Sequence, residues 1–402
     1  MNSPAKKAAL PFKELVALMA LMTALTALSI DAMLPALSDI GKDLNASNPN
    51  DVQLIISLIF LGTAIGQMFY GPLSDSIGRK PTVILGIGIY IIGCLLSIFA
   101  QDFNWMLIGR FLQGVGVGAP RIMALAIIRD QFEGSAMARV MSYVFTTFII
   151  VPLIAPSIGQ LILLVASWHM IFILLLVMSL VILVWFLMRQ PETLSPDHKR
   201  PFALNQVFAS IKQVLLTPAA LGYTVANGLS SSPFVAFLSS VQQILQEQYA
   251  LGTMFPLVFS FLTLFVGGAT FVNARWVVRL GMQVMTRYSL IGLFVSAIGF
   301  GIVAYFYQGH PPLWTLIVYF AITLFCIGIL FGNLSSLAME HLGHIAGTGA
   351  AVTNSLATLI SLPLGILIGY AYNGTVFPLV IGFGLCGYTA LLAQKWAESR
   401  KG

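Results

Sequence analysis

The segment from Gly71 to Pro81, GPLSDSIGRKP, is a short polar connection between two long apolar stretches, residues 52–72 and 82–100. It holds one acid, Asp75, and a following base, Arg79, in a turn that contains glycine. Each flanking stretch has about the 20 apolar residues that a helix needs to cross a bilayer. The pattern predicts two membrane-spanning helices joined by a charged turn.

The composition excludes an ordinary soluble protein. Of the 402 residues, 58% are hydrophobic and 8% are charged, against about 25% charged in a typical soluble domain. The mean hydropathy is +0.91. The formal net charge of +6 comes from basic residues spread in small groups over the loops, so nucleic-acid binding is not expected. We predict an all-α membrane protein whose surroundings are the lipid bilayer.

Twelve apolar stretches can be placed along the chain, and one long polar segment divides six from six. This division predicts two pseudo-symmetric six-helix bundles, residues 1–188 and 218–402, joined by a linker loop, residues 189–217. The turn Val278 to Gly281 resembles the first turn in its base and glycine but lacks its acid. The stretches are residues 12–37, 52–72, 82–100, 105–127, 140–165, 168–188, 218–244, 251–273, 285–307, 313–338, 346–371 and 375–394.

The basic residues give an independent prediction of orientation, because lysine and arginine near helix ends favour the cytoplasmic side. Of the 20 lysines and arginines, 17 fall on one side of this layout, Lys42 alone falls on the other, and Arg110 and Arg121 lie within the fourth span. The linker and both termini are on the basic side. We therefore expect a multi-pass protein of the bacterial inner membrane with both termini and the linker loop in the cytoplasm.

Asp31 is the one acid that lies clearly within a predicted span. An acid inside a membrane helix costs about 2.5–3.5 kcal/mol on insertion scales and is a functional candidate by default. A buried carboxyl near a cation can bind and release a proton as access to it changes, and Arg110 in the fourth span is its expected partner. Other roles stay open for both residues at this point. Asp31 can belong to a structural ion pair or be a helix-end acid near the periplasmic surface. Arg110 can lock helices together through backbone carbonyls.

Arg121 follows Arg110 by eleven residues, close to three helical turns, so both are expected on one face of the span about 16 Å apart. No other acid in a span is left to neutralise Arg121, which favours an anionic or carboxylate-bearing substrate. The equally weighted alternative is that its side chain extends to the cytoplasmic edge of the membrane. Further candidates for substrate contact are polar residues inside the spans, each also open to a role in helix packing: Gln113, Asn227, Ser231, Asn333 and Asn354.

Several classes of function are not expected from this sequence. It contains no Gly-x-x-x-x-Gly-Lys-Ser/Thr segment that would bind ATP phosphates. No set of nucleophile, base and orienting group can be assembled within the spans, so we do not expect an enzyme. Glu340, His341 and His344 supply too few ligands for a metal site. Neither a cofactor nor a metal is predicted.

The segment GPLSDSIGRKP resembles the signature between helices 2 and 3 of the major facilitator superfamily, with Ser76 where a basic residue is usual. The resemblance implies the major facilitator fold and a conformational latch formed by Gly71, Asp75, Gly78 and Arg79. Residues 107–116, LIGRFLQGVG, resemble a second signature of the family, in which the arginine, here Arg110, faces the cavity and assists proton transfer.

Two further segments narrow the resemblance within the superfamily. Residues 155–160, APSIGQ, are similar to the antiporter signature at Pro156 and Gly159, although Gln160 replaces a usual glycine. Residues 28–37, LSIDAMLPAL, resemble the drug:proton antiporters of the bicyclomycin and chloramphenicol resistance type. The match lies mainly in the first half of the chain.

The sequence thus predicts a proton-coupled exporter that works as a monomer by alternating access. Its substrate is a small organic molecule, either a lipophilic drug or an anionic metabolite or siderophore-like compound. The alternatives are a proton-coupled importer or facilitator and, in another class, a membrane sensor that does not transport.

Overall fold

The computed structural model describes residues 10–195, 199, 204–340, 342 and 346–400. These residues form α-helices joined by short connections, and the bounds of the helices follow from the apolar stretches and the glycines and prolines between them. The helices are α1 (Phe12–Asp31), α2 (Leu37–Asp43), α3 (Leu54–Ile77), α4 (Arg79–Ile98), α5 (Phe103–Gln131), α6 (Gly134–Val165), α7 (His169–Arg189), α8 (Leu204–Leu216), α9 (Pro218–Gln242), α10 (Phe255–Leu280), α11 (Met282–Phe306), α12 (Leu313–Met339), α13 (Ala346–Tyr370) and α14 (Phe377–Ser399).

Eleven segments of the described residues are long and apolar enough to cross a membrane, and α1 and α2 together form the first of them. Helix α9 is as long, at 25 residues, but it contains Asn227 and three consecutive serines. Most of α9 is buried against α12, α13 and α14, so its polar groups do not face lipid. With α9 as the seventh span, the predicted twelve-helix fold is confirmed.

The spans form two bundles that repeat one another. Helices α1 to α7 pack among themselves, as do α9 to α14. Gly78 ends α3 and Gly281 ends α10, and both have positive φ, 110° and 82°, so the second and eighth spans leave the membrane through the same kind of turn. The basic, glycine-bearing turns noted in the sequence are therefore equivalent in structure.

The bundles are packed together at one end of the molecule and have separate cores at the other. We call the end that carries Phe12 and Ser399 the terminus side, and the opposite end the far side. On the far side one apolar core includes Leu37 of the first bundle and Val241 of the second. On the terminus side the described apolar residues form one core within the first bundle and others within the second. At middle depth, Ser355 donates a hydrogen bond to the carbonyl of Ala64 (2.9 Å), which joins α13 to α3.

The segment predicted as a linker loop contains helix α8, which corrects that prediction for residues 204–216. Val207, Ile211 and Val214 recur at helical spacing and form an apolar stripe, of which Val207 and Val214 are buried. The helix packs against α9 and α13 and also touches α3. The stripe is too short to span a membrane, which is why hydropathy alone placed it in a loop.

Candidate functional site

The first span is broken where it carries Asp31. Helix α1 ends at Asp31, a 3₁₀ turn occupies Leu34–Ala36, and α2 begins at Leu37. Pro35 causes the break, because it has no N–H to donate to the carbonyl of Asp31 four residues earlier. The side chain of Asp31 is 5% exposed. The sequence therefore places a buried acid at the end of a helix inside the membrane.

Arg110 holds the end of α1 next to this acid. Its side chain is fully buried, and Nη2 donates to the carbonyl oxygen of Ser29 (2.7 Å) while Nε donates to that of Ile55 in α3 (3.1 Å). The carbonyl of Ser29 lies in the last turn of α1, where carbonyls lack partners within the helix. A cation is favoured there because the helix dipole is negative at this end. Arg110 thus ties α5 to α1 and α3.

The expected ion pair between Asp31 and Arg110 is absent from the described part of this conformation, since Asp31 takes part in none of its ion pairs. The guanidinium binds the carbonyl of Ser29 instead, two residues before Asp31. Because α1 ends here, the carbonyl of Ser29 is free to accept from Arg110, in place of the Asp31 carboxylate that the sequence suggested. The alternative in which Arg110 locks helices through carbonyls describes this conformation better. The roles of both residues in proton coupling stay predictions.

Buried polar groups keep Arg110 in place. Its Nη1 donates to Oε1 of Gln113 (2.7 Å), and Nε2 of Gln113 donates to the hydroxyl of Ser97 (3.1 Å). The hydroxyls of Ser29 and Tyr90 are 2.6 Å apart. Gln113 is fully buried in this conformation, so its predicted contact with substrate stays a prediction, while its contact with Arg110 is visible. Ser97 and Tyr90 carry no signal in the sequence that would connect them to Arg110.

Arg121 lies three turns beyond Arg110 in the same continuous helix, α5, and its side chain is half-buried. Because α5 runs from the far side to the terminus side, Arg121 is nearer the terminus side than Arg110. Pro120 lies just before it and leaves the helix unbroken. Both predicted roles for Arg121, binding an anion or extending to the membrane edge, stay open as predictions.

The predicted polar residues of the second bundle fall into buried and exposed groups. Asn227 and Asn333 are buried, and the hydroxyl of Ser231 donates to the carbonyl of Asn227 (2.7 Å). Asn333 donates to Oδ1 of Asn273 in α10 (2.6 Å), a residue that the sequence analysis missed. Asn354 is exposed and accepts a hydrogen bond from Ser335 (2.9 Å), although it lies within a spanning helix. An exposed amide in a span fits a water-filled cleft better than lipid.

The turn at Gly78 is built from charges of four segments on the terminus side. Arg79 forms ion pairs with Asp75 at the end of α3 (2.6 Å) and with Asp130 near the end of α5 (3.1 Å). A methyl group on Gly71 would meet no atom within 4 Å, so nothing here requires glycine at that position. The cluster joins the predicted latch residues Asp75 and Arg79, and their function as a conformational latch stays a prediction.

Glu192, after α7, completes this cluster. Its two carboxylate oxygens accept hydrogen bonds from the backbone N–H groups of Arg79 and Lys80, each at 3.0 Å, at the start of α4. A carboxylate is favoured there because the first N–H groups of a helix lack partners and the dipole is positive. A methyl group on Gly78 would overlap this carboxylate. Gly78 is therefore required by its positive φ and by Glu192 together.

Replacing Glu192 with alanine is expected to loosen the start of α4. Loss of such a helix cap costs about 1 kcal/mol, so amide exchange in the peptide that contains Arg79 and Lys80 is expected to rise about fivefold. The measurement is hydrogen–deuterium exchange of the purified protein. Glu133→Ala is the matched control, because Glu133 begins α6 without making a cap hydrogen bond. Equal exchange in the two variants would contradict the capping role.

The two predicted antiporter residues lie in α6, against the break in the first span. Both Pro156 and Gly159 are buried. A methyl group on Gly159 would overlap the carbonyl oxygen of Ala32 and approach Pro35. Glycine is needed here for close approach of α6 to the residue that follows Asp31. The sequence does not reveal this contact, because the two segments are more than a hundred residues apart.

On the far side, three neutral amide side chains join the bundles, and we call Asn50, Gln53 and Gln243 the amide clasp. Each donates two hydrogen bonds across the interface between the bundles, to backbone carbonyls or to another amide. The bonds run from Gln53 to Gln243 Oε1 (2.6 Å) and Gly369 O (3.0 Å), from Gln243 to Pro49 O and Asn50 Oδ1 (both 3.1 Å), and from Asn50 to Tyr370 O (3.0 Å) and Tyr372 O (2.9 Å).

Several proteins resemble this chain in sequence. The sequence model of the protein family named Major Facilitator Superfamily matches residues 19–366 of this chain. The bicyclomycin resistance protein homolog of Haemophilus influenzae is 28% identical over 391 residues, which cover 94% of this chain and 95% of that protein. Multidrug resistance protein D of Escherichia coli is 25% identical, with 86% of each chain covered. Multidrug resistance protein MdtL of Citrobacter koseri is 29% identical, with 80% of each covered.

Solved structures share the fold at low sequence identity. The human organic anion transporter MFSD10 has a TM-score of 0.70 at 15% identity, covering 96% of this chain and all of that one. A D-xylose-proton symporter has a TM-score of 0.73 at 14% identity, covering 94% and 95%. At such identities the likeness concerns the fold alone. Together with the sequence relatives, it confirms the resemblance found in the motifs.

Proposed function

The chain belongs to the Major Facilitator Superfamily, and from this premise we propose that it is a proton-coupled antiporter that exports a small organic molecule. It is a transporter and not an enzyme, and it crosses the membrane many times. The coupling ion, the direction of transport and the kind of substrate are all part of what we propose. The working unit is a single chain, and the energy source is the proton gradient, without a cofactor.

The observation that carries the proposal is the buried carboxyl of Asp31 at a helix break, close to a cation that is bound elsewhere. A carboxylate buried without an ion pair is costly, so this conformation suits the protonated, neutral form. Arg110 holds the carbonyl of Ser29, two residues away along α1. After loss of the proton, Arg110 can exchange this carbonyl for the carboxylate by a local movement. Binding and release of a proton would then alternate with rearrangement of α1.

The orientation of the chain and the antiporter residues support the proposed direction. The excess of basic residues supports a cytoplasmic location of the terminus side. In that orientation the amide clasp closes the periplasmic end, and the bundles have separate cores at the cytoplasmic end. A molecule from the cytoplasm would thus reach the region of Asn354 and Arg121. The antiporter signature at Pro156 and Gly159 supports exchange, so proton entry would drive export.

Two classes of substrate have support of different kinds. The names of the relatives, which refer to bicyclomycin and multidrug resistance, support a lipophilic drug. Arg121 supports a compound with a carboxylate, because a half-buried guanidinium recognises carboxylates through paired hydrogen bonds. Both classes would reach Asn354 and Arg121 from the terminus side.

The proposal predicts proton movement opposite to substrate movement. The purified transporter would be placed in lipid vesicles in the inside-out orientation, with an acidic lumen. Bicyclomycin, chloramphenicol, a lipophilic dye and a dicarboxylate would then be added outside, one at a time. A transported compound is expected to accumulate in the lumen and to make the lumen less acidic. Proton movement in the same direction as substrate would indicate symport, and transport without proton movement would indicate a facilitator. No movement of any compound would favour a sensor.

A further inference from the structure

Helix α6 contacts the second bundle and the break in the first span through different faces. Ile149 and Leu153, one turn apart, face α10 of the second bundle. Gly159 faces the break at Ala32. Leu153 and Gly159 are about 9 Å apart along the helix. One helix thus reaches from the interface between the bundles to the residue next to Asp31.

The contact with α10 uses a carbonyl of the helix backbone. Ser260 of α10 donates its hydroxyl to the carbonyl oxygen of Leu153 in a short hydrogen bond. Leu153 lies between Pro152 and Pro156, which have no N–H and so weaken the hydrogen bonding within α6. Pro156 leaves the carbonyl of Pro152, next to Leu153, without its usual helical donor, and hydroxyl groups of neighbouring helices commonly satisfy backbone near prolines in membranes. The second bundle is therefore attached to α6 between its two prolines.

A second contact lies two turns further along α10. Gly267 packs so closely on Ile149 that a methyl group on this glycine would meet its side chain. Beyond Gly267 towards the terminus side, α10 exposes Phe271 (72%) and Val278 (87%). The contacts at Leu153 and Ile149 thus fix α10 against α6 at middle depth, next to the part of α10 that is exposed.

The contact with the break completes the path. Gly159 touches the carbonyl of Ala32, while Arg110 binds the carbonyl of Ser29. The backbone on either side of Asp31 is therefore in contact with a different helix, α6 on one side and α5 on the other. A shift of α6 changes one of these contacts and leaves the other in place, which alters the surroundings of the carboxyl between them.

We propose that α6 transmits the position of the second bundle to the helix break at Asp31, with Ser260 and Gly159 as positioning residues for proton coupling. The inference rests on the proposed antiport function and on Asp31 as its proton site. As the bundles rock, α10 moves Leu153, and α6 moves Gly159 relative to Ala32. Coupling of this kind requires a structural element that can adopt two arrangements, with the balance between them shifted from both sites. Helix α6 is that element, because it contacts α10 at one site and the break in the first span at the other.

Ser260→Ala tests the first contact. In vesicles, proton-driven accumulation of the substrate is expected to fall about tenfold, within the usual range of coupling energies, while downhill exchange at equal pH stays within about twofold. Ser260→Thr keeps the hydroxyl and is expected to restore accumulation. Thr263→Ala is the matched control, because the hydroxyl of Thr263 donates to Phe259 within its own helix.

Gly159→Ala tests the contact of α6 with the break at Ala32, with Gly88→Ala as the control, because a methyl group on Gly88 would meet no atom within 4 Å. The readout is the pH profile with which a carbodiimide labels Asp31, located by mass spectrometry. Gly159→Ala and Ser260→Ala are each expected to move its midpoint by about half a pH unit, or about threefold in proton affinity. The double variant is expected to show less than the sum of the two shifts, because both act through α6.

Unchanged accumulation and an unchanged labelling profile in Ser260→Ala would overturn the inference, as would strictly additive shifts in the double variant. These outcomes differ from failure of the proposed function. If Asp31→Asn keeps proton-driven transport, the proton site is wrong. If Asp31 is required and the α6 variants behave like the parent protein, only the inference about α6 fails.

Discussion

Replacement of Asp31 by asparagine is expected to abolish proton-driven accumulation of substrate and to leave downhill exchange in place. Asparagine has nearly the same shape but cannot bind and release a proton. The side chain is 5% exposed and forms no ion pair among the described residues, so the neutral amide suits the environment seen here. Loss of a proton-transfer group commonly costs about 100-fold or more, and a loss of this size is expected in coupled transport.

The measurement is substrate accumulation in vesicles with and without an imposed pH gradient. Asp39→Asn is the matched control, because Asp39 lies in the same span but is exposed. Asp31→Glu keeps an acid and is expected to retain part of the coupling. Full accumulation by Asp31→Asn would remove Asp31 from the mechanism and leave the buried acid without a function.

Replacement of Gly369 by valine is expected to open the far side. The added side chain would overlap the amide of Gln53 and displace it from both Gly369 and Gln243. Loss of two hydrogen bonds at about 1 kcal/mol each amounts to about 2 kcal/mol, or about a 30-fold shift between the two conformations. Export is expected to slow, because the transporter returns less often to the conformation that accepts substrate.

A cysteine at Val241 measures this opening. Val241 is fully buried in the core that joins the bundles on the far side, and the three native cysteines are buried. A thiol reagent that does not cross the membrane is expected to label Val241→Cys about 30-fold faster when Gly369→Val is present, in line with the shift in population. Gly299→Val is the control, because a Cβ added at Gly299 would meet no atom of another part of the chain within 4 Å. Equal labelling rates would show that the amide clasp does not stabilise the closed far side.

The amide clasp closes the far side without any group that binds a proton in the physiological pH range. Asparagine and glutamine side chains do not titrate. The phenol of the neighbouring Tyr372 is neutral at physiological pH, and burial raises its pKa further, to about 12. The stability of the clasp should therefore not change with pH in the physiological range. In the proposed mechanism the effect of a proton has to arise at Asp31 and reach the far side through the packing of the helices.

Much of the fold was predictable because its signals are local in the chain. Hydropathy over about 20 residues identifies a span, and glycine and basic residues mark the turn at Gly78. The break in the first span was not predicted, because that span was placed over residues 12–37, although the missing N–H of Pro35 acts only four residues away, at Asp31. Arg110 and Gln113 are one turn apart, so their contact was also within reach of sequence reasoning.

The partners of these residues were not predictable. The hydrogen bond from Gln53 to Gly369 joins residues 316 positions apart, and that from Arg79 to Glu192 joins residues 113 apart. Asn273 and Ser260 are ordinary polar residues of a span until α10 packs against its neighbours. The expected ion pair between Asp31 and Arg110 is not found among the described residues, because the end of α1 offers Arg110 a carbonyl acceptor at Ser29.

The amino-acid sequence alone thus specified which segments cross the membrane and which acid lies within the first span, because hydropathy acts over the length of a single helix. The three-dimensional packing determined what each of these groups touches. The contacts of Arg110 with Ser29, of Gly159 with Ala32 and of the amide clasp between the bundles depend on how whole helices lie against one another, and local sequence patterns do not encode that arrangement.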